Sequence, residues 1–312
     1  MKRMRKKASF AVCSIIISIF LNLYLRSDSG SNYFVGGDDT IIRNYSNSRS
    51  EIYELNGDVR IYRISSKLLR ISALSPNKTS SYHRTVKPYA RRHSPIAMSK
   101  VEEMSIALHP RSDFYRIVPN CTRRFDVPAV VFSTGGYAHH PYHSVGDIVV
   151  PLYFTSRHFD GGVVFLISDF RSEWVSRYRS ILERLSNYDV VDVDAEDRTL
   201  CFSKAIVGLD AGREEFMSGP KHFTDHSMTD FTRFIRNTHS LRRQSNAKKN
   251  SPRLLIISRE KTRRLVNEGE VADLCKKVGF EVETKEITGD FEIIARYMNR
   301  SLISSQDSSY GS

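Results

Sequence analysis

The sequence has few cysteines and none of the short motifs that identify several common enzyme classes. Four cysteines in 312 residues exclude a disulfide-dense scaffold. The chain has no Walker-type phosphate loop, no Gly-x-Ser-x-Gly elbow and no His-Glu-x-x-His pair. It also has no Cys-x-x-Cys pair and no dense cluster of histidine and cysteine. The sequence therefore predicts no metal site.

The composition is that of a globular protein with an excess of positive charge. Hydrophobic residues make up 40% and charged residues 26%, which excludes wholesale disorder and a protein with many membrane spans. The 47 basic residues exceed the 35 acidic ones by 12. A basic chain raises the question of nucleic-acid binding. No recognition helix or aromatic-interleaved basic stripe is present, so we predict no nucleic-acid partner and attribute most of the charge to solvated loops.

The N-terminus has the pattern of a membrane anchor. Five basic residues in Met1–Lys7 precede an uncharged run of 18 residues, Ala8–Leu25. A helix of that length spans about 27 Å, enough for a thin bilayer. Because basic clusters stay on the cytoplasmic side, we expect an uncleaved signal-anchor that places the body in the lumen. A cleaved signal peptide is the alternative, but no clear cleavage site follows the run.

Glycosylation sequons and cysteine positions agree with a lumenal body. The four sequons begin at Asn44, Asn77, Asn120 and Asn299. An oxidising lumen permits one disulfide, and we predict Cys121–Cys201 because both cysteines lie beside predicted strands. Cys13 lies within the predicted anchor. Cys275 falls on the apolar face of a predicted helix, so we expect a packed thiol there.

Composition and periodicity divide the rest of the chain into a stem and two α/β units. Residues 26–85 are rich in serine, asparagine, glycine and aspartate and are interpreted as a flexible lumenal stem, with one short strand near residues 59–64. Residues 86–238 alternate strand and helix patterns, which predicts an N-terminal α/β domain with a mostly parallel sheet. The polar and basic residues 239–251 predict a linker, and residues 252–312 begin a second α/β domain.

The predicted elements follow from apolar runs and helical spacing. The predicted strands are Val127–Ser133, Val163–Ser168, Asp189–Val193, Cys201–Val207, Leu254–Ser258 and Phe280–Thr284. Predicted helices cover residues 143–156, with a kink at Pro151, and start near Ser172, Ser227, Asn267 and Asp290. A third strand is due after the last helix, but a serine-rich tail follows instead. We therefore expect the second domain to be incomplete.

The first candidate site follows the strand that ends at Ser133. Ligands of α/β sheets bind at the carboxyl ends of strands. Gly135 and Gly136 would allow close backbone approach. His143 and Asp147 are four residues apart, so they share a helix face, and a carboxylate can orient an imidazole and raise its basicity. This pair is a candidate general base. The alternative is that His143 makes only a local hydrogen bond.

The second candidate site follows the strand Leu254–Ser258. It comprises Ser258, Arg259, Thr262 and Arg263. Guanidinium groups bind pyrophosphate oxygens in a bidentate manner and need no metal to do so. A solvated basic loop is the alternative interpretation.

Five longer stretches occur together in a characteristic order. They are VKPYARR (Val86–Arg92), FDVPAVVFSTGGY (Phe125–Tyr137), the Tyr142–Phe159 run, HSMTDFTRFIR (His226–Arg236) and PRLLIISREKTR (Pro252–Arg263). In this order they resemble plant glycosyltransferases of family 61, the group that contains xylan arabinosyl- and xylosyltransferases. The resemblance covers most of the chain from residue 86 to residue 299.

The resemblance implies a fold, a reaction and a location. It implies a Golgi type II membrane enzyme with a GT-B-like architecture of two Rossmann-like domains, here with an incomplete second one. Such an enzyme transfers a pentose, arabinofuranose or xylose, from a UDP-sugar to a glycan such as xylan, with inversion and without a cofactor. The second candidate site would bind the donor. Gly135, Gly136 and Tyr142 would meet the acceptor, and His143 or Asp147 would be the base.

The chain also departs from the family pattern. His139-His140 stand where Gly-Asn is common, and Asp225–Met228 stand where Gly-Tyr-Ser-Met is usual. The family continues past the last helix with an apolar strand and a glycine-rich loop, so we expect low transfer activity from this chain. The alternative function is a non-catalytic Golgi protein that binds glycan or pairs with a full-length relative as a homo- or hetero-oligomer.

Overall fold

Most of the described residues build one large mixed sheet with helices packed against it. The computed structural model describes residues 42–65, 68–75, 81–212, 226–241, 251–258, 265–286 and 291–301. Several predicted features lie outside the described residues: the basic head and anchor at residues 1–25, the sequon at Asn77, most of the predicted linker (residues 242–250), Arg259, Thr262, Arg263 and the serine-rich tail from residue 302. No helix among the described residues is long and apolar enough to cross a bilayer.

The described residues form two sheets. In chain order the strands are β1 (Ile42–Asn44), β2 (Tyr53–Ser65), β3 (Leu68–Ser75), β4 (Tyr82–Val86), β5 (Met104–Pro110), β6 (Arg123–Arg124), β7 (Ala129–Ser133), β8 (Val164–Ser168), β9 (Val191–Asp192), β10 (Leu200–Val207), β11 (Arg253–Ser258) and β12 (Glu281–Glu286). The large sheet has the order β4-β5-β3-β2-β10-β7-β8-β9, with β1 also on β2 and β6 also on β10. The pair β11–β12 is parallel and separate.

Short helices and one irregular turn connect the strands. The helices are α1 (Pro95–Met98), α2 (Arg111–Ile117), α3 (Pro141–His143), α4 (Val150–Ser156), α5 (Ser172–Arg177), α6 (Arg179–Leu185), α7 (Met228–Thr238), α8 (Glu268–Val278) and α9 (Phe291–Ser301), with a π-helical turn at Ser144–Val149 and a 3-10 turn at Arg157–Phe159. The predicted helix over residues 143–156 is present. Pro151 has no N–H to donate, and the backbone widens into the π turn just before it.

The prediction of a mostly parallel sheet holds for only half of the large sheet. Strands β10, β7, β8 and β9 are parallel neighbours, as predicted. Strand β2 is antiparallel to both β10 and β3, which joins a second group of strands to the first. The fold is therefore mixed α/β. The central strands β7 and β8 are buried along their whole length, which explains their unbroken apolar runs.

The prediction that residues 26–85 form a flexible stem is wrong for residues 42–65 and 68–75. These residues supply β1, β2 and β3 of the large sheet, and residues 82–86 supply β4. Val59 and Ile71 are fully buried. The polar residue Glu54 is also buried, because Lys204 on β10 pairs with it at 3.2 Å. The segment contains many polar residues, which is why its composition predicted a solvated stem. Its strands nevertheless belong to the core of the large sheet.

The last three helices agree with the predicted local patterns. Ser227 caps α7 in a capping box with Asp230, as predicted. Gly279 ends α8 with φ +108°. Helix α9 packs against the main body, where the Phe291 ring lies 5.5 Å from that of Tyr178. The remaining domain boundaries stay predictions.

Candidate active site

A buried carboxylate organises the carboxyl edge of β7. Asp147 lies in the π turn and is only 1% exposed. Its Oδ1 accepts hydrogen bonds from Arg49 Nη2 at 3.2 Å and Arg91 Nη1 at 3.0 Å. Its Oδ2 accepts from the Tyr89 hydroxyl at 3.0 Å and contacts His143 Nδ1 at 3.1 Å. Two guanidinium groups and two further polar groups thus surround one carboxylate, an arrangement that compensates the cost of burying its charge.

Three separate parts of the chain meet at this carboxylate. Arg49 precedes β2, whereas Tyr89 and Arg91 follow β4. The backbone of Arg92 donates to the carbonyl of Arg49 at 2.8 Å, which holds these two segments together. Of the Asp147 partners among the described residues, His143 alone is a neighbour in sequence. The sequence reasoning predicted this pair, and the structure brings its two members together.

Tyr89 is fixed as a hydrogen-bond donor to Asp147. Burial, and then the nearby Asp147 carboxylate, raise the pKa of the Tyr89 phenol, so the hydroxyl keeps its proton at neutral pH. The same oxygen accepts a hydrogen bond from the backbone N–H of Tyr137 at 3.2 Å. Tyr89 therefore connects the carboxylate to the loop that follows β7.

The two glycines of that loop pack against protein atoms. A Cβ at Gly135 would collide with the carbonyl oxygen of Lys100. A Cβ at Gly136, which has φ +53°, would lie 2.6 Å from the ring of Tyr89. The space beside both glycines was expected to admit a ligand, but protein atoms occupy it. Because Gly135 and Gly136 have no Cβ, Lys100 and Tyr89 can pack close to this loop.

His143 is the more accessible member of the predicted pair. Its side chain is 21% exposed, against 2% for that of Asp147. An ionised carboxylate only accepts hydrogen bonds, so the contact with Asp147 requires the proton of a neutral ring on Nδ1. The basic lone pair is then on Nε2, at the opposite edge of the ring. This geometry makes His143 the candidate base and Asp147 a positioning residue.

Aromatic rings surround the His143 imidazole. The ring centroids of Tyr137, Tyr142 and His140 lie 4.9, 5.3 and 5.4 Å from that of His143. Tyr142 is 49% exposed, so the predicted acceptor-side residue presents its ring at the surface. Exposed aromatic rings beside a basic group suit the apolar faces of sugar rings.

A second carboxylate stabilises the same edge of the sheet. Asp169 follows β8 in a left-handed conformation with φ +49°. Its Oδ2 accepts from the Ser133 hydroxyl at 2.5 Å, and its carboxyl group accepts from the backbone N–H of Glu102 at 3.2 Å. Burial raises the pKa of Asp169. Its contacts connect the loops after β7 and β8 to the segment before β5.

Sequence reasoning missed several residues of this centre. It assigned no role to Arg49, Tyr89, Arg91 or Lys100. A signal existed for two of them, because Tyr89 and Arg91 lie in the VKPYARR stretch that carries the resemblance to family 61. Arg49 lies in the segment interpreted as stem, where composition gave no indication of a buried partner.

The second candidate site is described only at Ser258. This residue ends β11, opposite Glu286 of β12. Arg259, Thr262 and Arg263 lie outside the described residues. The proposed donor-binding group therefore stays a prediction.

The cysteines and sequons have different surroundings. Cys121 and Cys201 are joined as a disulfide, and Cys275 is a partly exposed free thiol. Asn44 and Asn120 are exposed. The side chain of Asn299 accepts a hydrogen bond from Arg236 Nε at 2.8 Å, a contact that an attached glycan would compete with. No group of three or more potential metal ligands occurs among the described residues.

A cleft of about 360 Å³ lies apart from the Asp147 centre. It is formed by the 3-10 turn after α4, the end of α6 and the start of α7. Four of its charged side chains pair with one another: Arg157 with Asp160 at 3.1 Å, and Arg233 with Asp230 at 2.9 Å. None of the Asp147 partners named above lines this cleft.

Comparison with curated proteins gives related plant sequences. The chain is 35% identical over 262 residues to the alpha-1,3-arabinosyltransferase XAT3 of Oryza sativa subsp. japonica, a match that covers 82% of this chain and 44% of that protein. It is 32% identical over 274 residues to the beta-1,2-xylosyltransferase XYXT1 of the same organism, covering 82% and 58%. The resemblance of this chain to glycosyltransferase family 61 is confirmed.

A more distant relative of this family-61-like chain is also a plant protein. The xylan glycosyltransferase MUCI21 of Arabidopsis thaliana is 28% identical over 274 residues, covering 82% of this chain and 55% of that protein. The chain spans about half the length of the curated relatives it matches. No family model matches it. These relatives are named as glycosyltransferases, in agreement with the predicted resemblance.

Proposed function

We propose that this chain transfers a pentose, arabinofuranose or xylose, from a UDP-sugar to a glycan such as xylan. Two observations support the proposal. The relatives are named as arabinosyl- and xylosyltransferases. The observation that carries the chemistry is the contact of His143 Nδ1 with the buried Asp147 carboxylate at 3.1 Å.

The His143–Asp147 pair can serve an inverting transfer. Nε2 of His143 removes the proton of an acceptor hydroxyl while that oxygen attacks the anomeric carbon of the donor sugar. One C–O bond forms as the bond from the anomeric carbon to the diphosphate oxygen breaks, and UDP leaves with the electron pair. A single displacement inverts the anomeric centre. A general base of this kind contributes about 10²–10⁴-fold to the rate.

The buried partners hold the base in place. Arg49 and Arg91 donate hydrogen bonds to Asp147, and Tyr89 donates a third one to it. A fixed carboxylate keeps the imidazole in one tautomer and one orientation, so the geometry for proton transfer exists before the acceptor binds.

The finer architecture and location belong to the same proposal. We place the donor in a second Rossmann-like domain of a GT-B-like enzyme. There Arg259 and Arg263 would neutralise the diphosphate of the UDP-sugar, and Ser258 and Thr262 would donate hydrogen bonds to it, without a cofactor. The parallel β11–β12 pair with α8 and α9 supports an α/β unit at this position. We further propose a single-pass type II location in the Golgi membrane, supported by the basic head and the uncharged run after it.

The test is a transfer assay with a matched pair of histidine variants. The chain is incubated with UDP-arabinofuranose or UDP-xylose and xylo-oligosaccharides, and pentosylated products are measured by mass spectrometry. His143→Ala should reduce product formation about 100-fold or more, since the base is removed. His139→Ala is the control, because His139 is exposed and outside the set of Asp147 partners, and it should retain most of the activity.

Two results would contradict the proposal. Equal product formation by wild type and His143→Ala would exclude His143 as the base. Glycan binding or co-purification with a longer relative, with no product from either donor, would favour the alternative of a non-catalytic partner protein.

A further inference from the structure

The cleft of about 360 Å³ lies at the opposite edge of the parallel strands from the candidate base. Gly161 and Asn187, which line it, come just before β8 and β9, whereas His143 follows β7. Because these strands are parallel, the cleft lies at their amino ends and the base at their carboxyl ends. Strand β8 has five residues, so the two places are separated by on the order of 15 Å. The cleft is large enough to bind a small ligand.

A buried tyrosine presents its hydroxyl at this cleft. Tyr153 on α4 is 2% exposed, and its ring lies 5.0 Å from that of Phe234 and 5.3 Å from that of Phe231. Burial, and then the charge of Asp230, raise the pKa of Tyr153, so the hydroxyl keeps its proton and can donate. Asp230 and Arg157, whose charges act on this hydroxyl, both line the cleft.

The Tyr153 hydroxyl has no hydrogen-bond partner among the residues that the structure describes. Buried tyrosine hydroxyls normally donate to a partner. This one is therefore available to a ligand in the cleft, and the packing of its ring fixes where that ligand would be met.

Two side-chain amides supply further donors and acceptors. Asn187 and Asn237 line the cleft and are exposed, and their side chains make no hydrogen bond to another described residue. The Asn187 amide packs against Gly161, where a Cβ would lie 2.6 Å from its Nδ2. An amide both donates and accepts hydrogen bonds, and so does each hydroxyl group of a sugar.

The arginines and acids of the cleft balance in charge. Three of each line it: Arg157, Arg184, Arg233, Asp160, Glu183 and Asp230. His226 also lines it and adds a charge only when protonated. A diphosphate or a carboxylate would be favoured by an excess of positive charge. The cleft instead suits a neutral ligand with many hydroxyl groups.

We propose that this cleft is an auxiliary binding site for a neutral glycan chain, in which the Tyr153 hydroxyl and the amides of Asn187 and Asn237 form hydrogen bonds with sugar hydroxyl groups. The inference rests on the proposed function, because it assigns a second site to the acceptor glycan of that reaction. A polymeric acceptor bound at the cleft is held near the candidate base, which raises its effective concentration there.

The experiment measures the binding of xylohexaose, a neutral oligosaccharide, by isothermal titration in the absence of donor. The wild-type chain should bind it with the same affinity at low and high salt, since the ligand carries no charge. Tyr153→Phe removes only the hydroxyl, and Asn237→Ala removes an exposed amide. Each change should weaken binding about 3–10-fold, the effect of losing one hydrogen bond. UDP should not compete with xylohexaose.

Tyr115→Phe is the matched control. Tyr115 is 53% exposed on α2 and does not line the cleft, so the loss of its hydroxyl should leave the affinity unchanged. Tyr142→Ala shows whether the glycan binds beside the candidate base instead. Tryptophan fluorescence of Trp174 checks that each variant is folded, and Asn237→Ala still tests the cleft if Tyr153→Phe does not fold.

The inference is overturned if wild type does not bind xylohexaose, if the folded cleft variants bind it as wild type does, or if only Tyr142→Ala weakens binding. Competition by UDP would also overturn it. Binding that depends on Tyr153 and Asn237, with no product from UDP-arabinofuranose or UDP-xylose, would support the cleft and reject the proposed function. Transfer by wild type, with equal xylohexaose affinity in wild type and the cleft variants, would do the reverse.

Discussion

Asp147→Asn is the most informative single change, because it removes one negative charge from among two positive ones. The amide keeps the size of the carboxylate and can still accept a hydrogen bond from Tyr89. It cannot compensate the charges of Arg49 and Arg91, which lie 3.2 and 3.0 Å from Oδ1. The Arg49 side chain is only 6% exposed, so water cannot replace the lost partner.

The size of the effect follows from the burial of that arginine. Removing one member of a buried ion pair costs about 3–5 kcal/mol, because the other charge is left unpaired. Natural domains unfold with free energies of about 5–15 kcal/mol. We therefore expect Asp147→Asn to lose a large share of the free energy of unfolding and also to reduce transfer, since His143 loses the group that orients it.

The measurement is urea unfolding followed by the fluorescence of Trp174. This residue is the single tryptophan of the chain, it is 3% exposed, and its ring lies 6.1 Å from that of Phe132 in the core. Asp160→Asn is the matched control. Asp160 also pairs with an arginine, at 3.1 Å, but its side chain is 90% exposed, so the change should cost less than about 1 kcal/mol.

A loss of less than about 1 kcal/mol in Asp147→Asn would refute the account of a charge-compensated buried centre. Pairing the substitution with Arg49→Met gives a second check. If an uncompensated guanidinium causes the loss, removing that guanidinium should recover part of the stability in the double variant.

Two further predictions concern the stability of the large sheet. Gly208→Ala should lower the free energy of unfolding in urea by more than about 2 kcal/mol, because Gly208 has φ +92° and a Cβ would collide with the Glu51 carbonyl oxygen. Gly269→Ala is the control. A Cβ at this position of α8 has no atoms within 4 Å, so the change should be neutral or stabilising. Burial, and then the neighbouring His83 and Arg70, lower the pKa of His109 below its usual 6.5. The unfolded state therefore binds more protons at this residue, and stability should fall as the pH drops from 6.5 through the folded pKa. This fall, at most about 1.4 kcal/mol per pH unit for one proton, should be smaller in His109→Phe, and an unchanged pH profile in that variant would contradict the assignment.

Local patterns in the sequence predicted the parallel half of the sheet and its helices. β7 and β8 are unbroken apolar runs, because both faces of these strands are buried. The start of α7 was predicted because Ser227 and Asp230 interact within one turn of helix. The pairing of His143 with Asp147 was predicted for the same reason, since the two residues are four apart in sequence.

The part of the sheet built by β1 to β5, where antiparallel pairs flank the parallel pair β3–β5, could not be predicted in this way. Glu54 and Arg60 are polar residues in β2, and each is 5% exposed. Glu54 pairs with Lys204 and Arg60 donates to the Pro119 carbonyl, both far away in sequence, while Arg60 also pairs with Asp58 two residues before it. Composition alone therefore assigned these residues to a solvated stem.

The sequence by itself determined the local elements of this protein and the approach of His143 to Asp147, because both depend on residues within a few positions of one another. It also determined the resemblance to family 61, which depends on the order of the motifs. Only the tertiary structure decided how that carboxylate is buried. Arg49 and Tyr89 are 98 and 58 residues from Asp147 in the chain. Whether such distant groups meet depends on the pairing of β2 with β10 and on the path of the chain after β4. No local sequence pattern predicts either of these.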